Sequence, residues 1–507
     1  MQLLPTILFA VYQVIVILTI IHVVMDNRQP VKTMAWALVI YFVPVVGIVL
    51  YLFFGVNTRR ERMVSRRSMD QLTKRSMLSF VEQQDLQLPE AYKPIIDLFV
   101  NESFSLPFNN NKVETLCSGY EFFPTLLRDM ASARQHIHID IYIFEDDALG
   151  RLVADALIAK ARQGVEVRIV YDDVGCWSVK NRFFERMREA GIEVVPFLPV
   201  RFPSFTSKVN YRNHRKLIII DGRVGYIGGM NIALRYVKGT GQQPWRDTMV
   251  RIEGGGVYSL QRTFLIDWYF VDGSLLSERK YYPPITHHPS PITQHPSPIT
   301  QHPTPNTHHP TPNTQHPSPN TQHPSPLVQT VTSNPTSPYP EIQQGYVRII
   351  LSARRYLFIQ TPYFLPTEPV LFALKTAASS GVDVRLMVPR RSDARFVEWA
   401  GRSYLREAVE AGITVSLYES GFLHSKLMVC DDYVSTCGST NIDFRSFENN
   451  FEANTFIYSE EIARQMKEIY LQDEQQTTHL TDLPHRMHPR FAVRLWESIV
   501  RLLSPLM

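Results

Sequence analysis

Two long apolar runs open the chain. Leu3 to Met25 carries no Asp, Glu, Lys or Arg, and neither does Thr33 to Val56. A helix needs about 20 apolar residues to cross a hydrocarbon core of about 30 Å, and both runs reach that length. The polar turn Asp26-Asn27-Arg28-Gln29-Pro30 joins them, so the pattern predicts a transmembrane helical hairpin over residues 1–56. A cleaved leader would show a basic start and a small-residue cleavage site, and this N-terminus has neither.

Beyond residue 106 the pattern changes to helical stretches alternating with short β-rich runs, and it occurs twice. Ser132-Ala133-Arg134 leads into IHIDIYIF, as Ser352-Ala353-Arg354 leads into LFIQTPYF. GVEVRIVYDD from Gly164 matches GVDVRLMVPR from Gly381, and AGIEVVPF from Ala190 matches AGITVSLY from Ala411. Such alternation predicts an α/β fold, a mixed sheet flanked by helices, and two copies predict two pseudo-symmetric lobes meeting at one interface.

Between the copies a seven-residue unit repeats from His288 to Gln329: HPSPITQ twice, then HPTPNTH, HPTPNTQ, HPSPNTQ and HPSPLVQ. Proline at alternate positions forbids helix and favours extended polyproline II, and no apolar face exists to bury. The repeat reads as a semi-rigid or disordered insert without a catalytic part. The chain therefore divides into the hairpin (1–56), a basic juxtamembrane linker (57–106) and a first lobe (107–275). A Pro/His-rich insert and linker (276–345), a second lobe (346–482) and a C-terminal amphipathic helix (483–507) follow.

Composition adds little until it is resolved along the chain. Of 507 residues 44% are hydrophobic, which excludes a wholly disordered protein, and the formal charge of +4 favours no partner by itself. Its distribution is more informative. Arg59, Arg60, Arg62, Arg66, Arg67, Lys74 and Arg75 follow the second apolar run, against Arg28 and Lys32 in the loop before it. The positive-inside rule then places both lobes on the cytoplasmic side of the membrane, with arginines facing anionic head groups. Four scattered cysteines without a CxxC pair fit a reducing compartment. At the far end Arg490, Arg494, Glu497 and Arg501 form one helical stripe and Leu495, Ile499, Leu502 and Leu506 another, the pattern of a basic interfacial helix. Packing of that helix against the lobes is the competing expectation.

The chemistry lies in a short pattern present once per copy. His214-Arg215-Lys216 runs on to Asp221, and His424-Ser425-Lys426 to Asp431, both reading HxKxxxxD. In each copy a glycine, Gly228 or Gly438, lies fourteen residues after the histidine, and an asparagine, Asn231 or Asn441, seventeen after it. Positions i and i+2 of a strand share a face, so His and Lys project together. A lysine beside a histidine suits an anionic ligand and repels a metal cation; no metal is expected. The aspartates sit an odd number of residues from the histidines, so on a regular strand they face away, and a structural role in binding backbone is open for them.

These residues resemble the phospholipase D superfamily, and the surroundings resemble its bacterial membrane-bound cardiolipin synthases. The similarity extends over WALVIYFVPVVGIVLYLFFG, both HxKxxxxD blocks, TPYFLP from Thr361, GSTNIDFRSFENNFE from Gly438 and the terminal LLSPLM. The proline repeat departs from the family pattern. The resemblance implies two phospholipase-D-like lobes and a covalent phosphohistidine mechanism without a cofactor. One histidine attacks a phosphatidylglycerol and expels glycerol; the other acts as acid and then as base on the hydroxyl of a second phosphatidylglycerol. Either histidine can be the nucleophile on sequence alone. His214, Lys216, Asp221, His424, Lys426 and Asp431 are the implied catalytic set, with Asn231 and Asn441 on the phosphoryl oxygens. Aligning the copies further pairs Asp247 with Glu452, and these carboxylates are expected to orient His214 and His424 respectively. Phosphatidylglycerol and anionic membrane lipid are the expected partners. A hydrolytic phospholipase D, or a phosphatidyltransferase using another lipid or alcohol, is the nearest rival, and the apolar hairpin disfavours a nuclease, since nucleic acid gives no reason for spanning helices.

Overall fold

The computed structural model describes residues 3–25, 30–51, 55, 88–200, 210–241, 243–284, 325–337 and 339–506. The basic stretch from Arg59 to Arg75 and the proline repeat as far as Pro324 lie outside them.

Each copy of the sequence pattern builds a sheet with the same strand order. Across the first sheet the strands run Lys112–Leu116, Met249–Glu253, Val224–Gly228, Lys216–Ile220, His136–Ile141, Glu166–Asp172 and Glu193–Phe197. Across the second they run Leu327–Ser333, Asn450–Tyr458, Val434–Gly438, Leu427–Cys430, Tyr356–Gln360, Asp383–Pro389 and Thr414–Tyr418, with short edge strands beyond both ends. In both sheets the last three of these strands pair in parallel and the rest antiparallel. The matching sequence blocks end their helices alike: Gly164 and Gly381 take φ near +85°, which glycine adopts without a Cβ penalty, and turn each helix into the next strand.

One boundary differs from the sequence expectation. Leu327, Val328 and Gln329 close the last repeat unit, yet they begin a strand that pairs with Asn450–Tyr458 in the register Leu327↔Tyr458. The second lobe therefore starts inside the segment expected to be linker, because its apolar alternation is only seven residues long and abuts the proline repeat.

The two sheets share an inner core. Leu217 and Ile219 of one face it together with Leu427 and Val429 of the other, and helices Val257–Asp272 and Glu460–Glu474 contribute Leu260, Trp268, Met466 and Tyr470. Ile218 and Ile220 point instead to the outer core of the first lobe, as the two-residue period requires. Strands buried on both faces explain the continuous apolar runs after each HxK.

At the N-terminus helix Leu3–Met25 packs on Pro30–Phe42 through Val16, Val23, Trp36 and Ile40. The second apolar run is not one helix; it breaks at Val43, and a new helix starts at Pro44, whose ring and missing N–H cannot continue the first. Among the described residues no helix is long and apolar enough to cross a membrane, so the expected pair of spanning helices is not met in that form.

The C-terminal helix Phe491–Leu502 packs on helix Arg395–Glu410 through Glu497, Val500 and Arg501, while Arg490 and Arg494 of the charged stripe stay exposed. Glu497 is 1% exposed and pairs with Arg406 at 2.7 Å; Arg501 pairs with Glu407 at 2.5 Å and covers the ring of Tyr404. Phe491, Leu495, Trp496, Ile499 and Leu502 face outward. The helix thus packs against a lobe and presents its apolar side to the surroundings. The terminal turn Ser504–Leu506 then returns to touch the N-terminal helices, Leu506 packing on their small core.

Candidate active site

Both HxK segments lead into the strands their apolar residues form, Lys216 opening Lys216–Ile220 and Lys426 immediately preceding Leu427–Cys430. Each is clamped by the other lobe. The His214 backbone N–H donates to the Phe451 carbonyl at 2.9 Å, and that of His424 to the Arg246 carbonyl at 2.7 Å. Phe451 and Arg246 each immediately precede the carboxylate aligned between the copies, so the carboxylates land on the opposite histidines. His214 Nδ1 lies 3.0 Å from Glu452 Oε1, and His424 Nδ1 lies 2.6 Å from Asp247 Oδ2. This corrects the expected pairing within lobes: the partners are crossed.

A buried carboxylate holding Nδ1–H leaves the lone pair on Nε2. Lys426 Nζ is also 2.9 Å from His424 Nδ1, but one nitrogen cannot donate to Asp247 and accept from Lys426; the shorter contact to the carboxylate decides. Glu452 is further fixed by Ser439 Oγ, which donates to Oε2, and by Asn450 Nδ2 at 3.1 Å. At the position matching Ser439 stands Gly229, where an added Cβ would lie 2.1 Å from Asp247 Oδ1.

The two histidines border one cleft of about 350 Å³, together with Asn231, Asn441, Tyr142 and Trp245. Asn231 Oδ1 accepts from the Ile143 N–H at 3.0 Å and its Nδ2 donates to Tyr236 at 3.0 Å; Asn441 Oδ1 has no hydrogen-bond partner among the described residues. The lysines are brought to the same place but sit behind the cleft wall. Lys216 Nζ donates to the His214 carbonyl at 2.5 Å, and Lys426 Nζ to the His424 carbonyl.

Burial governs the charge states. It pulls His214 down to about 4, Glu452 opposing and Lys216 assisting, and His424 down to about 3, with Lys426 assisting and Asp247 opposing. Both imidazoles are neutral at pH 7. Lys216 falls to about 7 and Lys426 to about 8, burial again being the largest cause, and each carboxylate resists the fall. Burial would raise Glu452, but His214, its hydrogen bond and Lys216 outweigh that and hold it below the ordinary carboxylate range.

Asp221 and Asp431 are not in this cleft. Asp221 accepts from the backbone N–H groups of Arg134, Gln135 and His136 at 2.8, 2.8 and 2.9 Å; Asp431 does the same for Arg354, Arg355 and Tyr356. Both adopt φ just above +50° at the turn beyond the strand. Their place in the expected catalytic set is corrected: they tie the Ser-Ala-Arg segments to the far ends of the HxK strands. Sequence reasoning missed Ser439, Tyr142 and the arginines of the cleft, Arg212, Arg235 and Arg445; the Ser and Arg445 stand inside GSTNIDFRS, where the Gly-Gly and Arg of the first copy offered a comparison.

The chain is similar to known proteins over nearly its whole length. A family model described as cardiolipin synthase, PLD-like domain, matches residues 126–264 and 346–473, and a phospholipase D-nuclease N-terminal model matches residues 14–55. The major cardiolipin synthase ClsA of Bacillus subtilis (strain 168) is 34% identical, over 97% of this chain and 97% of its own. A cardiolipin synthase of Geobacillus kaustophilus is 36% identical, over 95% of this chain and 90% of its own. Among solved structures, phosphatidylserine synthase of Haemophilus influenzae Rd KW20 superposes with a TM-score of 0.60 at 16% identity, covering 82% of this chain and 99% of that one, a likeness of fold.

Proposed function

The chain belongs to the cardiolipin synthase family of phospholipase D-like phosphatidyltransferases, and from that premise we propose that it condenses two phosphatidylglycerols into cardiolipin and glycerol. The observation that carries the reading is the crossed pair of histidine–carboxylate couples opening on one cleft.

In the first step Nε2 of one histidine forms a bond to phosphorus while the bond to the glycerol oxygen breaks, and the other histidine, protonated, gives its proton to that oxygen. In the second step the hydroxyl of another phosphatidylglycerol attacks, its proton passes to the now neutral second histidine, and the phosphorus–nitrogen bond breaks. Over the two stages one phosphodiester replaces another by way of a phosphorus–nitrogen ester, so atoms and charge balance without an energy source. Splitting the displacement through a covalent intermediate lowers each barrier. Glu452 and Asp247 set the Nδ1–H tautomer and stabilise the imidazolium when it forms. An arriving phosphodiester raises the histidine that must be the acid and charges the lysines, which with Asn231 and Asn441 oppose the charge on its non-bridging oxygens.

Water competes for the phosphohistidine, so the acceptor has to be concentrated at the cleft. We place the lobes against the cytoplasmic face of the membrane, held by the N-terminal apolar helices and the outward apolar side of Phe491–Leu502. Supporting this are Val14, Ile17, Leu18, Ile21 and Val24 of the first helix, all close to half exposed or more.

The test is incubation of the full-length protein with phosphatidylglycerol as the sole lipid. Wild type yields cardiolipin and glycerol in equal amounts, and His424→Ala yields neither. Phosphatidic acid in place of cardiolipin would convert the reading to that of a hydrolase.

A further inference from the structure

The two lobes place equivalent arginines on opposite flanks of the cleft and treat them differently. Arg235 and Arg445 each follow a cleft asparagine by four residues, and both border the cleft. Arg235 is neutralised: it pairs with Glu145 and lies 5.2 Å over the ring of Trp245. Arg445 donates to neutral oxygens, Asn450 Oδ1 at 3.3 Å and the Asn210 carbonyl at 3.1 Å, and among the described residues no carboxylate pairs with it.

A second guanidinium stands on the same flank. Arg212 is 2% exposed, borders the cleft and lies 3.3 Å from Asp172 Oδ1. Asp172 also accepts from the N–H groups of Gly175 and Asn213, so its charge is shared; Asp443 is turned to the Ser446 N–H at 2.6 Å, and Asp393, also on the cleft, accepts from the Tyr363 hydroxyl. Burial pulls Arg445 below its ordinary value, and the charge of Arg212 adds to the pull. Asp172 and Asp443 favour the charged form of Arg445, yet neither pairs with it, so its buried N–H groups are spent on neutral oxygens alone. An anion completes them, and guanidinium geometry suits a phosphate, which it can grip through two N–H groups.

The transfer reaction needs such a place. The acceptor phosphatidylglycerol must offer its free hydroxyl to the phosphohistidine, and its own phosphodiester, a glycerol length away, has to sit beside the reacting centre without reacting. We propose that Arg212 and Arg445 hold this second phosphodiester and so select a phosphorylated lipid alcohol over water and free glycerol. The inference rests on the phosphatidyl-transfer reading above. It makes Arg445 a specificity residue: donor cleavage does not call on it, whereas acceptor capture does.

Two reactions of the full-length protein in phosphatidylglycerol vesicles separate these steps. Exchange of labelled glycerol into phosphatidylglycerol uses the donor step with an acceptor that has no phosphate; cardiolipin formation uses the same step with one that has. Arg445→Ala lowers the ratio of cardiolipin formed to glycerol exchanged by about tenfold, the loss expected for a charge-assisted hydrogen bond. Arg445→Lys, which keeps the charge without the fork, recovers part of that ratio. Arg445→Gln gives the same reading should the alanine variant not accumulate. A ratio within threefold of wild type in both neutral variants overturns the second-phosphate site, whether the two rates fall together or neither falls. Wild type that releases phosphatidic acid with neither cardiolipin nor exchange would instead overturn the transfer reading itself.

Discussion

Glu452 of the second lobe accepts the hydrogen bond of His214 in the first, at 3.0 Å, and the arrangement is mirrored by Asp247 and His424. Neither lobe therefore contains a complete histidine couple. Glu452→Gln and Asp247→Asn keep the shape and remove the charge that stabilises an imidazolium. Each variant is expected to lose about 10²- to 10⁴-fold in turnover, the range of a mis-supported acid–base histidine, while melting temperature changes little. Steady-state rates of cardiolipin formation, beside thermal melts, check this; turnover at the wild-type level would remove the carboxylates from the mechanism.

Gly229 is required by the same couple. A methyl group there would enter within 2.1 Å of one Asp247 oxygen and 2.6 Å of the other, so the carboxylate must leave His424 or the strand must move. Gly229→Ala should lower turnover by at least about tenfold through lost orientation. At the matching position, Ser439→Ala removes a donor from buried Glu452 and should cost about 1.5–3 kcal/mol of stability. A crystal structure of Gly229→Ala with Asp247 undisplaced would refute the steric argument.

What the sequence made legible follows from local rules. The HxK pairs, the duplication and the doubly buried strands were readable because a two-residue period and a shared downstream register are properties of short segments. The crossing of the carboxylates was not. Asp247 and Glu452 align equally well with either histidine, and only the parallel pairing of Asn450 and Phe451 with Arg212 and Asn213, across 238 positions, decides. The strand at Leu327 was hidden because its first residues complete a proline unit, and the break at Pro44 because an apolar run was read by length alone.

Asp221 and Asp431 were read with the catalytic set from the motif, and their contacts give the opposite expectation. Each accepts three backbone N–H groups at a turn. Asp221→Ala or Asp431→Ala should destabilise the protein by roughly 2–4 kcal/mol, since several charge-assisted hydrogen bonds go at once. Specific activity of the fraction that stays folded should remain near wild type. Denaturant titration and activity per folded molecule report the two quantities separately, and a dead but fully stable variant contradicts the assignment.

The lysines make anion binding pH-dependent. An anion stabilises the charged amine, so binding raises Lys216 and Lys426 from about 7 and about 8 and draws protons in from solution. As pH rises past 8 those protons become harder to acquire, and affinity falls. Inhibition by inorganic phosphate should weaken by up to about tenfold per pH unit for each proton taken up. On the acid side a histidine raised by the anion adds its own proton uptake, so affinity keeps rising as pH falls toward about 4, where His214 charges without the anion. Inhibition constants measured from pH 6 to 9.5, with calorimetric proton uptake near pH 8, test the sign; proton release on binding would be the wrong sign.

The C-terminal helix leaves most of its apolar residues outward, unlike a usual packed surface helix, and that is informative. Glu497 and Arg501 are spent on Arg402, Arg406 and Glu407 and Val500 joins the core of the lobe, while Leu495, Trp496, Ile499 and Leu502 remain outward. Leaving such a row in water forfeits about 25 cal/mol per Å² of apolar surface that a bilayer interface would cover. Trp496→Ser combined with Ile499→Ser should therefore weaken association of the C-terminal side with phosphatidylglycerol vesicles and slow cardiolipin formation on them. Thermal stability in detergent should hold, because neither side chain fills the core. Glu497→Ala should do the reverse, lowering stability by about 3–5 kcal/mol as Arg402 and Arg406 lose a buried partner. Because Trp36 of the N-terminal apolar helices also reports, the readout is the share of brominated-lipid quenching that Trp496→Phe removes: a share removed places this face in the head-group region, and none removed places it in water.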